Sequence, residues 1–382
     1  MGLLRYYLAA AVIAWHSDGF FGFRPMPGYT AVQIFFIVSG FYMALVLNTK
    51  YTGPGSYQLF LTNRMLRIYP AYLVMLCLTF ALSVVAVWYH RHSRFSAYFE
   101  HGLSPFSWFV LVTTNLSLLG QDIVLFFDLR PDGSFGWPTN WRHRPEPHLY
   151  EFMFLPQAWS LSLELMFYAV APFLVRRPLK QIVAVILASL GLRIWIYGGL
   201  GLNLDPWGSR FFPTELALFL GGTLSYWMYE RLKKRSPDNR HLAAISIVFA
   251  AVTLSYPFLI KSVPPGYDQY IMLVYFIIIV LALPALFLWT KDNRADRYIG
   301  ELSYPIYIVH LLILSFVTTA LKRRLNWSPY TGLLTLGFST ILAAMLVHGL
   351  IDPIDKFRHR LSRRNDRSPN RRPAEPYVTS LT

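Results

Sequence analysis

Ten long apolar runs divide the chain, at about 3–21, 30–48, 68–89, 158–175, 181–200, 213–230, 241–260, 269–290, 299–320 and 330–351. Each is nearly continuous, without the polar residue at every second position that a half-solvated strand would show. Coiled into a helix at about 1.5 Å per residue, each is long enough to cross the roughly 30 Å hydrocarbon core of a bilayer. Backbone groups in lipid must satisfy one another, which leaves helices or closed barrels, and barrel strands alternate in polarity. The pattern therefore predicts an all-α, polytopic transmembrane helix bundle of about ten spans. An eleventh run, 106–127, carries Thr113, Thr114, Asn115, Ser117, Gly120 and Gln121. It is expected to be a re-entrant or interfacial segment.

Charge then fixes an orientation. With the N-terminus in the cytoplasm and 106–127 not crossing, most of the 35 Lys and Arg residues fall inside, as the positive-inside rule requires. Lys322, Arg323 and Arg324 fall on the wrong side. If 106–127 crossed, Arg176, Arg177, Arg231, Lys233, Lys234, Arg235 and the tail would all turn outward. Both termini are thus expected in the cytoplasm, and the membrane is expected to be a bacterial inner membrane. Charged residues make up 14% of the chain, hydrophobic ones 54% and aromatic ones 17%. That composition excludes a disordered chain, a coiled coil and an ordinary DNA-binding domain. The net charge of +15 is read as orienting the protein in lipid, with no nucleic-acid partner. The single Cys77 allows no internal disulfide. The first apolar run has no small-residue cleavage site after it and is read as a retained span.

Residues 1–353 are read as the membrane domain, and 354–382, basic and Pro-containing, as a disordered cytoplasmic tail. No internal repeat is visible. The connection 128–157 is rich in Pro, Trp, His and Arg. It reads either as a cap facing substrate or as a solvated loop.

Ionisable side chains inside a span are costly and mark candidate chemistry. Arg5 and His16 are 11 positions apart, which places them on one helix face about 16 Å apart along the axis. A cation at the entrance with an imidazole deeper in suits a relay or a transfer reaction. The alternative is an arginine that snorkels and a histidine bonded to a neighbouring helix. Arg64 and Arg67 share a face ahead of the third span, a spacing that binds phosphate bidentately, although orientation alone also calls for arginines there. In the segment from Gln157 to Tyr168, Ser160, Glu164 and Tyr168 recur at i, i+4, and a carboxylate that deep in an apolar helix needs a partner, an arginine or a histidine. Arg193, the pair Arg210 and Glu215, and His310, three residues after Tyr307 and five after Pro305, are further intramembrane or interfacial candidates. Each also reads as a structural interhelical hydrogen bond. No phosphate-binding loop, dinucleotide fingerprint, zincin motif or nucleophile elbow competes. The ten histidines lack metal-ligand spacing. No bound cofactor or metal is expected.

Four segments in order resemble the acyltransferase type 3 membrane enzymes. They are Arg5-x10-His16 followed by the run Ala31–Phe41; Arg64-Met65-Leu66-Arg67-Ile68-Tyr69-Pro70; Trp159-Ser160-Leu161-Ser162-Leu163-Glu164; and Gly300-Glu301-Leu302-Ser303-Tyr304-Pro305-Ile306-Tyr307-Ile308-Val309-His310. Gln33 stands where the family often has an acid, and Asp352-Pro353 replaces a common Glu-x-Pro. No hydrolase-like domain is expected after the last span.

The resemblance implies transfer of an acyl group, usually acetyl, from acyl-coenzyme A as co-substrate to a hydroxyl of a sugar, glycan or glycolipid, with membrane lipid around the enzyme. Arg64 and Arg67 are then assigned to the donor phosphates and Arg5 to the entrance. His16 is assigned as general base or transient acyl carrier, and Glu164 as its catalytic support. Arg193, Arg210, Glu215, Tyr304 and His310 are assigned to support or to the acceptor side. Acceptor choice is expected in the outer loops, 128–157 and 201–212. A transporter or flippase of a saccharide or metabolite would use the same intramembrane groups, and stays open at this level.

Overall fold

The computed structural model describes residues 1–264, 266–319 and 328–365. In chain order its helices are α1 (Gly2–His16), α2 (Gly28–Thr49), α3 (Ser56–Trp88), the short α4 (Ala97–Glu100), α5 (Pro105–Ser117), the single turn α6 (Gln121–Val124), α7 (Trp159–Leu174), α8 (Leu179–Ile194), α9 (Phe212–Lys234), α10 (Asn239–Ser262), α11 (Asp268–Thr290), α12 (Arg294–Val317), α13 (Thr331–Leu346) and α14 (Asp352–Asn365). Each of the ten apolar runs forms one of them. Seven of the described helical stretches have the length and hydropathy to cross a membrane: α2, α3, α8 continued by a π-helical turn to Gly199, α10, α11, α12, and α13 continued through a π-helical turn into α14 as far as Arg358, so the expected count of ten is not reached on that measure. The reason lies in the other three. α1 and α7 have 15 and 16 residues, about 22–24 Å of helix. α9 is long but carries Glu215, Glu230, Arg231, Lys233 and Lys234.

The bundle is apolar on its outside. Val85 of α3, Ile194 of α8, Val248 and Phe258 of α10, Leu281 of α11 and Met345 of α13 are all more than half exposed. Patches of that extent are not left open to water, and lipid is the solvent that covers them. The protein is an integral membrane protein.

Two glycine contacts set the centre. α2 packs along α9, and a Cβ on Gly40 would lie 1.8 Å from the Phe219 carbonyl oxygen, one on Gly222 1.9 Å from that of Ile37. Small residues let helix backbones meet in membranes. α1 runs beside α12 in the same way. At one end, here termed proximal, Gly2 meets Gly300, and the amides of Gly2 and Leu3 donate to the Asp296 carboxylate at 2.8 and 2.9 Å. At the other, distal end, His16 faces His310 and Gly332 meets the Gly19 carbonyl.

The segment 106–127 does not form one helix. Leu118 and Gly120 adopt left-handed backbone, so α5 stops after 13 residues, about 20 Å and short of a bilayer core. Its polar residues explain how the break is tolerated. The carbonyls freed at the end of α5 accept from α3: Asn115 from the Tyr72 hydroxyl at 2.5 Å, Ser117 from the Tyr69 hydroxyl. Asn115 in turn donates to Leu111 and Phe152 carbonyls and accepts from the Phe154 amide.

α3 begins twelve residues before the apolar run at 68–89, because Phe60, Asn63 and Arg64 are buried against the bundle and hold those turns helical. Arg64 and Arg67 therefore lie within the helix rather than at its start. The polar tail also begins as helix, in α14. Its residues 366–382 lie outside the described residues, as do Lys322, Arg323 and Arg324.

Candidate active site

A cavity of about 110 Å³ opens between α1, α2, α3, α7 and α12. Arg5, Arg64 and Arg67 line its proximal part, Ser39, Tyr42, Glu164, Tyr168 and Tyr304 its middle, and Ser160 and Tyr307 its distal part. The structure thus gathers both arginine motifs, the Glu164 segment and the Tyr304 segment around one space. The Arg64 guanidinium stands 5.6 Å from the Phe60 ring and 5.8 Å from that of Tyr168, and Arg5 stands 6.0 Å from Tyr42. Such faces suit a desolvated cation. Tyr304 donates to the Ile68 carbonyl at 2.6 Å and so ties α12 to α3 beside the arginine pair.

Glu164 is held by hydroxyls. Ser39 donates to it at 2.7 Å, and Tyr168, one turn along α7, also donates. The expectation of a histidine or arginine partner is corrected here. Among the described residues Glu164 forms no hydrogen bond or ion pair with either. It lies about 6 Å along the helix from Ser160, whereas His16 sits beyond Tyr307. The close approach of α2 and α9 at Gly40 sets the position of Ser39, the neighbour in sequence. One turn distal of Glu164, the Tyr307 hydroxyl donates to the Gln157 carbonyl at 2.7 Å and accepts from Ser160 at 2.7 Å. The Gln157 amide closes the loop on the Ile308 carbonyl at 2.6 Å. Pro305 removes an amide donor within this stretch of α12.

Two imidazoles follow. The His310 ring lies 5.7 Å from Tyr307 and 5.2 Å from His16. Each has Nδ1 against a carbonyl of its own helix, His16 at 3.0 Å from Val12 and His310 at 2.6 Å from Tyr307. A carbonyl only accepts, so the proton sits on Nδ1 and the lone pair on Nε2. His310 is fully buried, and its Nε2 meets no hydrogen-bond partner among the described residues. His16 does not line the cavity but is exposed at the distal end. The two histidines therefore bridge the distal part of the cavity and the distal surface.

Arg210 covers that surface. Its guanidinium stacks 4.3 Å from the Trp159 ring, and its charge reaches His16, Asp122 and Tyr307. The sequence grouped Arg210 with Glu215, but the structure gives them different partners. Arg210 pairs with Asp205 at 2.5 Å; Glu215 pairs with Arg193 at 2.5 Å and accepts from the Gln33 amide at 3.1 Å. Arg193, Glu215 and Gln33 thus join α8, α9 and α2, and do not line the cavity.

The connection 128–157 is folded against the loop before α9. A two-residue hairpin pairs Asp128–Leu129 with Phe135–Gly136. Phe126, Trp137, Trp141, Trp207 and Phe211 stack edge to face at 4.9–6.2 Å. Arg144 bonds Asp128 at 2.6 Å and the Leu125 carbonyl at 2.7 Å. Glu100, at the edge of this region and fully exposed, is held below the usual carboxylate range by the Ser96 hydroxyl.

Ser39 and Asp122 were not singled out in the sequence, and Ser160 and Tyr307 entered it only through their spacing from Glu164 and His310. Asp122 is 2% exposed and accepts from Ser162 at 2.6 Å. Its only sequence signal was a carboxylate inside the ambiguous run 106–127.

The comparisons with known proteins cover most of the chain. A family model described as an acyltransferase domain matches residues 1–349. Peptidoglycan O-acetyltransferase OatA of Listeria monocytogenes is 27% identical over 84% of this chain and 50% of its own length. A protein of Staphylococcus aureus (strain COL), named provisionally as an O-acetyltransferase, is 24% identical over 83% of the chain and 49% of its length. The chain spans about half the length of these curated relatives. Protein 2 in picA locus of Rhizobium radiobacter is 37% identical over 76 residues, 20% of this chain and 40% of that protein. No solved structure matches at a significant level. With the family model covering residues 1–349, the chain belongs to the acyltransferase type 3 family.

Proposed function

We propose that the protein is an O-acyltransferase that moves an acetyl group from cytoplasmic acetyl-coenzyme A to a hydroxyl of a sugar or glycolipid on the opposite face of a bacterial inner membrane. The observation that carries this reading is the path itself. Arginines line one end of a buried cavity, and a pair of imidazoles with free Nε2 lone pairs follows its other end and opens to the far side. In this reading the proximal end faces the cytoplasm, as do both termini. Arg64 and Arg67 take the donor phosphates, and Arg5 guides the pantetheine arm inward. Glu164, with Ser39 and Tyr168, shapes the wall along which the thioester lies.

His16 acts as general base. Its Nε2 takes the proton of the acceptor hydroxyl while the acceptor oxygen bonds to the thioester carbonyl carbon. The carbon–sulfur bond then breaks, and the thiolate leaves with the proton returned through the imidazole. Tyr307, Ser160 and His310 line the passage between thioester and base. Arg210 and the aromatic group around Trp207 face the acceptor, where sugar C–H edges meet rings.

The support from relatives is their naming as O-acetyltransferases, one of them of peptidoglycan. The test is acetyl transfer from labelled acetyl-coenzyme A in membranes, supplied with saccharide acceptors. Coenzyme A release that depends on a saccharide is expected in the parent. A loss of about 10²-fold or more is expected for His16→Ala. Wild-type turnover by a folded His16→Ala protein would overturn the mechanism, and saccharide uptake without label transfer would mark a transporter.

A further inference from the structure

The last described helix, α14, packs against α3. One of its arginines points inward. Arg358 is 1% exposed, whereas Lys356 and Phe357 beside it face out. Its guanidinium touches Asp355 on its own helix, and its charge also meets Arg64, Arg67 and Tyr51. Both Nε and Nη2 of Arg358 are buried, with no hydrogen-bond partner among the described residues. The same two atoms of Arg64, a residue 2% exposed, are in the same condition, and so is the buried Tyr51 hydroxyl. Three guanidinium groups and a phenol thus converge at the proximal end of α3, where Asp355 pairs with Arg358 and the charge of Glu301 reaches Arg67. Like charges crowd where water does not reach, and among the described residues the buried Nε and Nη2 donors of Arg64 and Arg358 meet no acceptor. Buried guanidinium groups are stable when a planar oxyanion completes them, and phosphate fits two such forks at once.

We propose that Arg358 joins Arg64 and Arg67 in one phosphate-binding site roofed by α14, and that this site receives the phosphoesters of the nucleotide donor. The final helix is then a part of the enzyme's donor site rather than a tail. This rests on acetyl-coenzyme A being the donor. A phospholipid headgroup carries the same chemistry, so the experiment separates the two sources.

The full chain is reconstituted in phosphatidylcholine nanodiscs and titrated with adenosine 3′,5′-bisphosphate. KM is measured for acetyl-coenzyme A and for S-acetylpantetheine, which has no phosphate. Losing one charge-assisted fork is expected to weaken bisphosphate binding and raise the acetyl-coenzyme A KM by about tenfold or more in Arg358→Gln. KM for S-acetylpantetheine should not move. Arg358→Lys should fall between, because the charge remains without the fork. Lys356→Gln, the same charge loss on the exposed face, should match the parent. Thermal melts in the nanodiscs identify any variant that fails to fold, and Arg358→Lys then carries the comparison.

Unchanged bisphosphate binding and KM in a folded Arg358→Gln protein would sink the proposal. Stabilisation by added phosphatidylglycerol that depends on Arg358, with bisphosphate binding independent of it, would assign the site to lipid and sink the donor role. If the parent binds the bisphosphate through Arg358 but turns over no acetyl-coenzyme A, the donor reading above fails while this phosphate site stands.

Discussion

Removing one partner from the Arg193–Glu215 pair is the sharpest perturbation the structure offers. Glu215 is fully buried, and the Arg193 side chain is 13% exposed. Their 2.5 Å contact is flanked by the Gln33 amide, 3.1 Å from the second carboxylate oxygen, and by the Thr214 carbonyl, 3.1 Å from Arg193. Arg193→Met leaves the carboxylate with one neutral donor in a medium where an unpaired charge is costly. Breaking a buried pair this way typically costs about 3–5 kcal/mol. Glu215→Gln keeps a hydrogen-bonding side chain of the same size, and the partly solvated Arg193 keeps its carbonyl, so about 1–3 kcal/mol is expected. In Arg193→Met/Glu215→Leu both charges are gone, and an apolar pair of similar volume is often neutral. The double variant should therefore be more stable than Arg193→Met alone, with a coupling energy of about 2 kcal/mol or more. Unfolding in mixed micelles by added sodium dodecyl sulfate, followed through the 11 tryptophans, measures each corner of the cycle. Additive losses, or an Arg193→Met protein as stable as the parent, would refute the reasoning, since the pair would then be solvated or replaceable.

Two further outcomes follow from contacts already described. Gly40→Ala places a methyl 1.8 Å from the Phe219 carbonyl, where backbone cannot yield, and overpacking of about 1–3 kcal/mol or more should abolish the monodisperse peak in size exclusion; Gly337→Ala, with nothing within 4 Å of its Cβ, should leave that peak intact or sharpen it. Tyr307→Phe removes the hydroxyl that links Ser160 to the Gln157 carbonyl, so kcat should fall about 10- to 100-fold at little cost to donor KM, and an unchanged kcat would remove Tyr307 from the reacting path.

The helices were legible because lipid imposes a crude rule: a run either is apolar for about 20 residues or it is not. All ten runs became helices, and the break in 106–127 was visible in its polar residues. Arg5 and Glu164, singled out because a charge within apolar sequence has few structural excuses, line the same cavity, whereas His16 stands outside its lining. Pairings across helices were not legible. Nothing in the spacing of Glu164 names Ser39, which lies 125 positions away, or separates Arg210 from Glu215, five residues on. Arg358 was hidden by its setting, a basic tail whose composition matches an unfolded segment, and only tertiary packing turns it inward.

The length of α3 links the chemistry to the lipid around it. Its 33 residues make a rod of about 50 Å, against roughly 30 Å of hydrocarbon. With the apolar stretch after Ile68 filling that slab, Arg64 and Arg67 lie at its edge, Arg64 buried within the bundle. A thinner or thicker bilayer, accommodated by tilting so long a rod, would raise or sink the two guanidinium groups relative to the carboxylate on α7. With Arg64 and Arg67 holding the donor as proposed above, acyl-chain length of the host membrane is expected to tune turnover through the tilt of this one helix.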